Sequence, residues 1–238
     1  MNCAASTVDT PAAAANRPLV NLKKHPLFLG PLFRGLCDED LRALADKAVI
    51  KAFGKGEVVI VEGNFTSTLY VILSGKVKVS VGDEGGKELL LDIKGTGAYF
   101  GEMALDDGPR SASVVTLEPS QFAIISKTDF RNLLLAHPEI ALRVIENLIH
   151  IVRGLNSNVR SFAMLDVYGR VSRLLLDLAV EEEGKLVIPE KLTQQDMASR
   201  VGSSREMVNR IFRGLATGGY IKVEGKKITL NRTLPAHW

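Results

Sequence analysis

A change of hydrophobic period part-way along the chain is the strongest constraint on its fold. Between residues 58 and 126, short runs alternate apolar and polar residues, and glycine or acidic turns separate them. A period of two is typical of half-buried strands. Many short strands at this spacing predict a sandwich, jelly roll or barrel. The runs are VVIVEG (58–63), LYVILSG (69–75), KVKVSVG (76–82), ELLLDI (88–93), SASVV (111–115) and FAIIS (122–126).

A helical period replaces this pattern over 127–136 and then over 138 to about 164. A helix of about 25 residues is about 37 Å long, which is long for a helix inside one domain. Two sets of residues recur at heptad spacing on it: Val144, Ile151 and Asn158, and Leu148, Leu155 and Phe162. At a and d positions they predict a parallel two-stranded coiled coil, with Asn158 fixing the register. The alternative is a helix that packs only on its own β-rich domain.

The last third of the chain predicts three helices and a hairpin. VYGRVSRLLLDLAV (167–180) is amphipathic, with Asp166 as N-cap, and an acidic loop EEEGK (181–185) follows it. Thr193 is expected to cap one helix, and a short turn at 201–203 leads to another. YIKV (220–223) and ITL (228–230) then predict a β-hairpin. Helix, tight turn, helix and hairpin together predict a winged helix-turn-helix.

Charge and composition narrow the function. Residues 191–238 carry nine Lys and Arg against three Asp and Glu, whereas the other residues carry 21 against 24. This indicates a polyanionic partner for the basic segment, unless the segment is merely a solvated surface. No apolar run is long enough to predict a membrane span. Two cysteines and four scattered histidines predict no metal site and a reducing, cytoplasmic location. We find no base–nucleophile pair, so an enzyme is not expected.

The segment GEMALDDGPRSAS (101–113) has the residue types of a nucleotide site. Gly101 allows backbone N–H groups to face a ligand, and Arg110 adds a bidentate donor for phosphate. Ser111 adds a hydroxyl and a backbone N–H. Glu102 would repel phosphate, so we expect it to accept from a sugar hydroxyl. The alternative is a structural ion pair between Glu102 and Arg110.

A second chemical site is expected on the helix after Ser203. Arg205, Glu206 and Asn209 can share its exposed face, and Arg and Glu pair with guanine and cytosine in a major groove. Ser204 is placed for a phosphate. The alternative has Glu206 completing a capping box with Ser203. Basic residues that could hold the flanking DNA backbone are Arg213, Lys222, Lys226 and Lys227.

These motifs, in this order, resemble the Crp/Fnr family of bacterial transcription regulators, and within it the cyclic AMP receptor proteins. The resemblance covers residues 21 to 232. It is carried by Gly63 with TLYVILSGKVKV (68–79), FGEMAL (100–105), PRSA (109–112), MLDVYGR (164–170) and VGSSREMVNRIFRGL (201–215). The family implies an α+β chain with an N-terminal cyclic-nucleotide-binding β-roll (jelly roll), a long dimerisation helix and a C-terminal winged helix-turn-helix. The expected divisions are a disordered tail at 1–20, the β-roll at 21–137, the helix at 138–165 and the DNA-binding domain at 166–238.

The resemblance also implies roles for single residues. Gly101 and Glu102 would lie on the ribose side, with Glu102 on the 2′-hydroxyl, and Arg110 and Ser111 on the cyclic phosphate. Met103 is a further expected ligand-binding residue. Arg205, Glu206 and Arg210 would read base edges. Leu155 and Asn156 stand where the cyclic AMP receptor proteins present a Thr-Ser pair to the adenine. The base end is therefore altered, which admits cyclic GMP or cyclic di-GMP beside cyclic AMP.

The function expected on these grounds is a homodimeric regulator, such as an activator, that is allosterically controlled by a cyclic nucleotide and is not an enzyme. Its partners would be double-stranded DNA with a pseudo-palindromic site and RNA polymerase, with no metal and no membrane. One alternative is DNA binding without a ligand. Another is a cyclic-nucleotide sensor that acts on a protein partner.

Overall fold

The computed structural model describes residues 30–83, 85, 88–189, 192–225 and 227–234. The expected tail at 1–20 and the expected DNA contact Lys226 lie outside these residues. The described chain is α+β, with a β-rich N-terminal part, one long helix and a C-terminal helix-turn-helix. None of its described helices is both long and apolar enough to cross a membrane.

Two four-stranded antiparallel sheets form the N-terminal part. The first has the strand order β1-β8-β3-β6, and the second has the order β2-β7-β4-β5. The strands are β1 (Val49–Phe53), β2 (Val58–Ile60), β3 (Thr68–Ser74), β4 (Lys76–Gly82), β5 (Glu88–Gly95), β6 (Tyr99–Phe100), β7 (Ser113–Thr116) and β8 (Ser120–Ser126). The six predicted strands are confirmed to within a few residues at their ends.

Strand β3 is buried on both faces because the first sheet is covered on both sides. Tyr70 and Ile72 face the second sheet, where Tyr70 stacks on Phe100 at 4.9 Å between ring centroids. Leu69, Val71 and Leu73 lie on the other face of β3 and pack against a layer of helices. This explains why β3 is a nearly continuous apolar run.

The helical layer consists of α1 (Asp38–Lys47), α2 (Lys127–Ala136) and the start of α3 (Pro138–Met164). Ser126 caps α2 by accepting from the Asp129 backbone N–H at 3.1 Å. Pro138 occupies the first turn of α3, where its missing N–H costs no hydrogen bond. Helices α2 and α3 have the predicted bounds.

The C-terminal part is built from α4 (Val167–Leu178), β9 (Val180–Glu182), β10 (Lys185–Ile188), α5 (Gln194–Val201), α6 (Arg205–Thr217), β11 (Ile221–Glu224) and β12 (Lys227–Leu230). Asp166 caps α4, and Thr193 makes a full capping box with Asp196. Gly202 ends α5 in the left-handed conformation, which allows the tight turn into α6. The strands form one sheet in the order β11-β12-β10-β9, so the predicted hairpin is extended by a second one.

Candidate functional site

Arg110 is a buried cation at the centre of the first candidate site. The residue is 5% exposed, and its guanidinium donates three hydrogen bonds to neutral acceptors. Nε donates to the Thr66 hydroxyl at 2.6 Å, Nη1 to the Gly101 carbonyl at 2.9 Å and Nη2 to the Thr68 carbonyl at 2.6 Å. A guanidinium has five N–H donors, so two remain for a ligand. Thr66 and Thr68 were not predicted as partners of Arg110, because no sequence pattern links residues so far apart along the chain.

The alternative of a structural ion pair is not supported by the geometry. No described carboxylate lies within 4.0 Å of the Arg110 guanidinium nitrogens. Burial lowers the pKa of Arg110, and the charge of Glu102 only partly offsets that effect. Burial also raises the pKa of Tyr99 to about 12, with Glu102 adding to the rise. Glu102 therefore acts on both groups through space and leaves the guanidinium without a partner of opposite charge.

The loop around Arg110 brings the other expected ligand residues together. Gly101 has φ +84°, and a Cβ there would lie 2.9 Å from the Thr68 carbonyl oxygen and 3.0 Å from Arg110 Nη1. Met103 and Ser111 are both exposed, and the Ser111 hydroxyl donates to Met103 Sδ at 2.9 Å. Gly101 thus contacts the Arg110 guanidinium directly, and Met103 and Ser111 of the same loop contact each other.

Leu155 and Asn156, expected at the base end, do not join this cluster in the single chain. Both lie on the exposed face of α3, with Leu155 42% exposed. They can contribute to the ligand site only if another molecule covers that face of α3.

Val144 does not fit the predicted coiled-coil register of α3. Val144 is 3% exposed because it packs in the core beneath the first sheet, so a partner helix cannot reach it. Asn158 is exposed and also lines a cavity against α4 and α5 of its own chain. Phe162 is 38% exposed, with Arg170 of its own chain 5.1 Å from the ring centroid. Ile151 is half-buried, whereas Leu148 and Leu155 remain exposed.

A different heptad set is exposed on α3. The spacing alternates between three and four residues, as a and d positions do, and Asn156 rather than Asn158 is the polar member. We call this set the α3 seam. Its residues are Leu142, Ile145, Ile149, Val152, Asn156, Val159 and Ala163, and all are exposed in the described chain.

The recognition helix α6 presents only part of its predicted face. Arg205, Glu206, Arg210 and Arg213 are exposed. Asn209 is only partly exposed, and its amide oxygen accepts from Gln194 Nε2 of α5 at 3.0 Å, which ties the two helices together. Its contact with DNA stays a prediction. Val208 and Leu215 are fully buried in the C-terminal core.

The cap of α6 is Ser204, not Ser203. The Ser204 hydroxyl accepts from the Met207 backbone N–H at 3.2 Å. The Glu206 backbone N–H, and to a lesser extent the Ser204 hydroxyl, donate to the Glu206 carboxylate, which lowers the pKa of Glu206. Ser204 is therefore engaged in the cap of α6, and its contact with a phosphate stays a prediction.

Two of the basic residues expected beside DNA, one in β11 and one in β12, form ion pairs with carboxylates. Lys222 Nζ lies 2.6 Å from Glu224, and Lys227 Nζ lies 2.7 Å from Glu182. Exposed ion pairs of this kind are weak, so either lysine can exchange its carboxylate for a phosphate at small cost.

Comparison with known proteins assigns both parts of the chain to known domain families. Residues 50–137 match the family model of the cyclic nucleotide-binding domain, and residues 169–233 match that of the Crp-like helix-turn-helix domain. The chain is 34% identical over 205 residues to the CRP-like cAMP-activated global transcriptional regulator of Mycobacterium tuberculosis, covering 84% of this chain and 92% of that one. The chain belongs to the Crp/Fnr family of transcription regulators.

Two further members of the family show how widely the likeness extends. The cAMP-activated global transcriptional regulator CRP of Haemophilus influenzae is 37% identical over 174 residues, covering 71% of this chain and 77% of that protein. The solved structure of CLP, the c-di-GMP responsive global regulator of Xanthomonas campestris, matches with a TM-score of 0.69 at 25% identity. That match covers 83% of this chain and all of CLP. The family membership makes this chain a transcription regulator of the cyclic-nucleotide-responsive class.

Proposed function

We propose that the chain is a homodimeric regulator, not an enzyme, whose DNA binding is controlled by a cyclic nucleotide held at Arg110. The observation that carries the proposal is the buried Arg110 guanidinium, which has neutral acceptors but no carboxylate within ion-pair distance among the described residues. Burying an uncompensated charge costs free energy, and a phosphate would offset that cost with charge-assisted hydrogen bonds. The β-roll that holds this site is proposed to span residues 21–137.

The dimer is proposed to form through the α3 seam. Five of its apolar members, Leu142, Ile145, Ile149, Val152 and Val159, are between 45% and 65% exposed in the single chain. A second copy of the same helix would bury them by the symmetric knobs-into-holes packing of a coiled coil. Asn156 would meet its counterpart at the two-fold axis and fix the register, at some cost in stability.

This dimer would present two α6 helices to DNA. Arg205 and Glu206 lie in the first turn of α6, which is the part of a recognition helix that enters the major groove. Two-fold symmetry then requires a pseudo-palindromic site with half-sites about 34 Å apart. The same proposal has the chain act in the cytoplasm, with RNA polymerase as a further partner.

The ligand is proposed to be cyclic AMP or cyclic GMP, with its base directed towards α3. Leu155 and Asn156 would contribute there only once the partner helix is in place, which would couple binding to the dimer. A ligand can shift the DNA-binding equilibrium only through a difference in affinity between two states, typically worth about 1–3 kcal/mol.

Cyclic di-GMP is the second candidate. The apolar Leu155 at the base end supplies no hydrogen bond to an adenine, and the matched regulator CLP is c-di-GMP responsive. The phosphate of this larger ligand could accept from the same N–H groups of Arg110, while its bases make different contacts.

Calorimetric titration of the purified chain with cyclic AMP, cyclic GMP and cyclic di-GMP in turn tests the proposal. Arg110→Gln should weaken binding of the active nucleotide about 10–100-fold, because a charge-assisted contact is worth about 1.5–3 kcal/mol. Arg34→Gln is the matched control, because Arg34 is exposed. Sedimentation should show a dimer for all three chains. Equal affinities in both variants, or a monomer at working concentration, would contradict the proposal.

A further inference from the structure

A cavity of about 100 Å³ lies where the end of α3 meets α4 and the end of α5. We call it the hinge cavity. Three arginines line it, Arg170 and Arg173 from α4 and Arg200 from α5, and the only carboxylate among its described lining residues is Asp177. Three cations and one anion leave an excess of positive charge around a small space, far along the chain from Arg110.

The arginines of α4 are held in place by neutral groups. Arg170 Nε donates to the Val201 carbonyl and Nη1 to the Leu165 carbonyl, both at 2.9 Å. Arg173 Nη1 donates to the Ser161 hydroxyl at 3.0 Å and Nη2 to the Ser157 hydroxyl at 2.7 Å. These bonds orient the guanidiniums but leave their charge uncompensated.

Compensation by Asp177 is weak. Its carboxylate lies 3.6 Å from Arg173 Nε, and its side chain is 67% exposed. An exposed pair at that distance contributes little. It also reaches one arginine of the three.

Arg200 supplies the observation that points to a ligand. Its Nε is buried and has no hydrogen-bond partner among the described residues. An unpaired buried donor on a charged group is costly, and native structures rarely leave one without an acceptor. The two Nη groups of this guanidinium are also unbonded within the described chain, and unlike the enclosed Nε they can reach an acceptor in the hinge cavity.

We propose that the hinge cavity binds one phosphate group, as a second anion site separate from the one at Arg110. Phosphate oxygens would accept from the Nη groups of Arg200 and from the unused donors of Arg170 and Arg173, as guanidinium forks commonly do. A single water needs about 10–15 Å³, so the hinge cavity has room for a small oxyanion such as phosphate. A nucleoside attached to that phosphate would lie outside the cavity.

Such an anion would link the long helix to the DNA-binding part. Arg173 is bonded to the end of α3, Arg170 belongs to α4 and contacts the end of α5, and Arg200 belongs to α5. Binding would therefore stabilise this arrangement of the three helices over any other. The phosphate source is either free phosphate or a phosphodiester of a cyclic dinucleotide.

The site is tested in the full-length chain carrying Arg110→Gln, in which binding at the nucleotide site is weakened. Calorimetric titration with inorganic phosphate at low salt should give binding that weakens as ionic strength rises. Adding Arg200→Gln should weaken it about tenfold or more. Adding Arg160→Gln should not, because Arg160 is an exposed arginine of the same region outside the cavity.

A parallel titration with cyclic di-GMP distinguishes the sources. Binding that survives Arg110→Gln and is lost with Arg200→Gln identifies the phosphodiester, whereas binding of inorganic phosphate alone identifies free phosphate. Circular dichroism checks the fold, and Arg173→Gln replaces Arg200→Gln if the latter does not fold. No phosphate binding, or equal affinity with and without Arg200, overturns the hinge site and leaves the function of Arg110 untouched.

Discussion

Gly101 offers the sharpest test of the nucleotide site, because a methyl group there would disturb Arg110 without removing its charge. An alanine at φ +84° costs about 1–2 kcal/mol in backbone strain. Its Cβ would also lie 2.9 Å from the Thr68 carbonyl oxygen, which β3 holds in place, and 3.0 Å from Arg110 Nη1. Arg110 must therefore shift, and part of a charge-assisted hydrogen bond worth about 1.5–3 kcal/mol is lost. We expect Gly101→Ala to lower the free energy of unfolding by about 3 kcal/mol.

Gly56→Ala is the matched control. Gly56 has φ +80°, but no atom lies within 4 Å of the position that an alanine Cβ would occupy, so only the backbone strain should apply. Urea unfolding should show a loss of about 1–2 kcal/mol for this variant. Calorimetry should show nucleotide affinity unchanged in Gly56→Ala and reduced about tenfold or more in Gly101→Ala. Equal stability losses and equal affinities in the two variants would refute the close approach of Gly101 to Arg110.

Three further predictions concern the dimer, the DNA contact and a buried hydroxyl. Asn156→Leu should strengthen the dimer in sedimentation experiments while loosening its register, and Asn158→Leu should not, because Asn158 lines a cavity of its own chain; the reverse result would favour the Asn158 register. Arg205→Gln should cost about 1–3 kcal/mol of operator affinity and relax preference at one base pair, and an equal loss on all sequences would instead make Arg205 a backbone contact. The pKa of Tyr99 is raised to about 12, whereas that of an unfolded tyrosine is near 10, so only the unfolded state ionises between these values. Over that pH range we expect the free energy of unfolding to fall by about 1.4 kcal/mol per pH unit. Tyr99→Phe should remove this slope in urea unfolding at alkaline pH.

Periodicity predicted the regular elements well where one face of the element decides its burial. The 27 residues of α3 have the predicted bounds because Pro138 can begin a helix and the apolar period continues to Met164. Strand β6 was not predicted, since its two residues are too few to show a period. Most of the acidic EEEGK segment instead belongs to β9 and β10, which pair with each other as a hairpin that turns at Glu183 and Gly184, while β10 also pairs with β12.

The candidate sites were predicted less completely than the fold. The Arg110 loop was found because glycine, glutamate, arginine and serine at this spacing suit a phosphate ester. Thr66 and Thr68, which hold the guanidinium, lie 44 and 42 residues before Arg110 and were missed. The contact of Asn209 with Gln194 was missed because helical spacing on α6 does not show which residue of α5 lies against it.

Local order along the chain was thus determined by the sequence itself: the strands, the long helix, the caps at Asp166 and Thr193, and the chemistry available at Arg110 and Arg205. Which face of α3 is free was decided only by tertiary packing. Heptad spacing fits more than one face of an apolar helix, and the choice depends on which residues the β-rich core has already buried. Because Ile140 and Val144 pack beneath the first sheet, the free face is the one that contains Asn156.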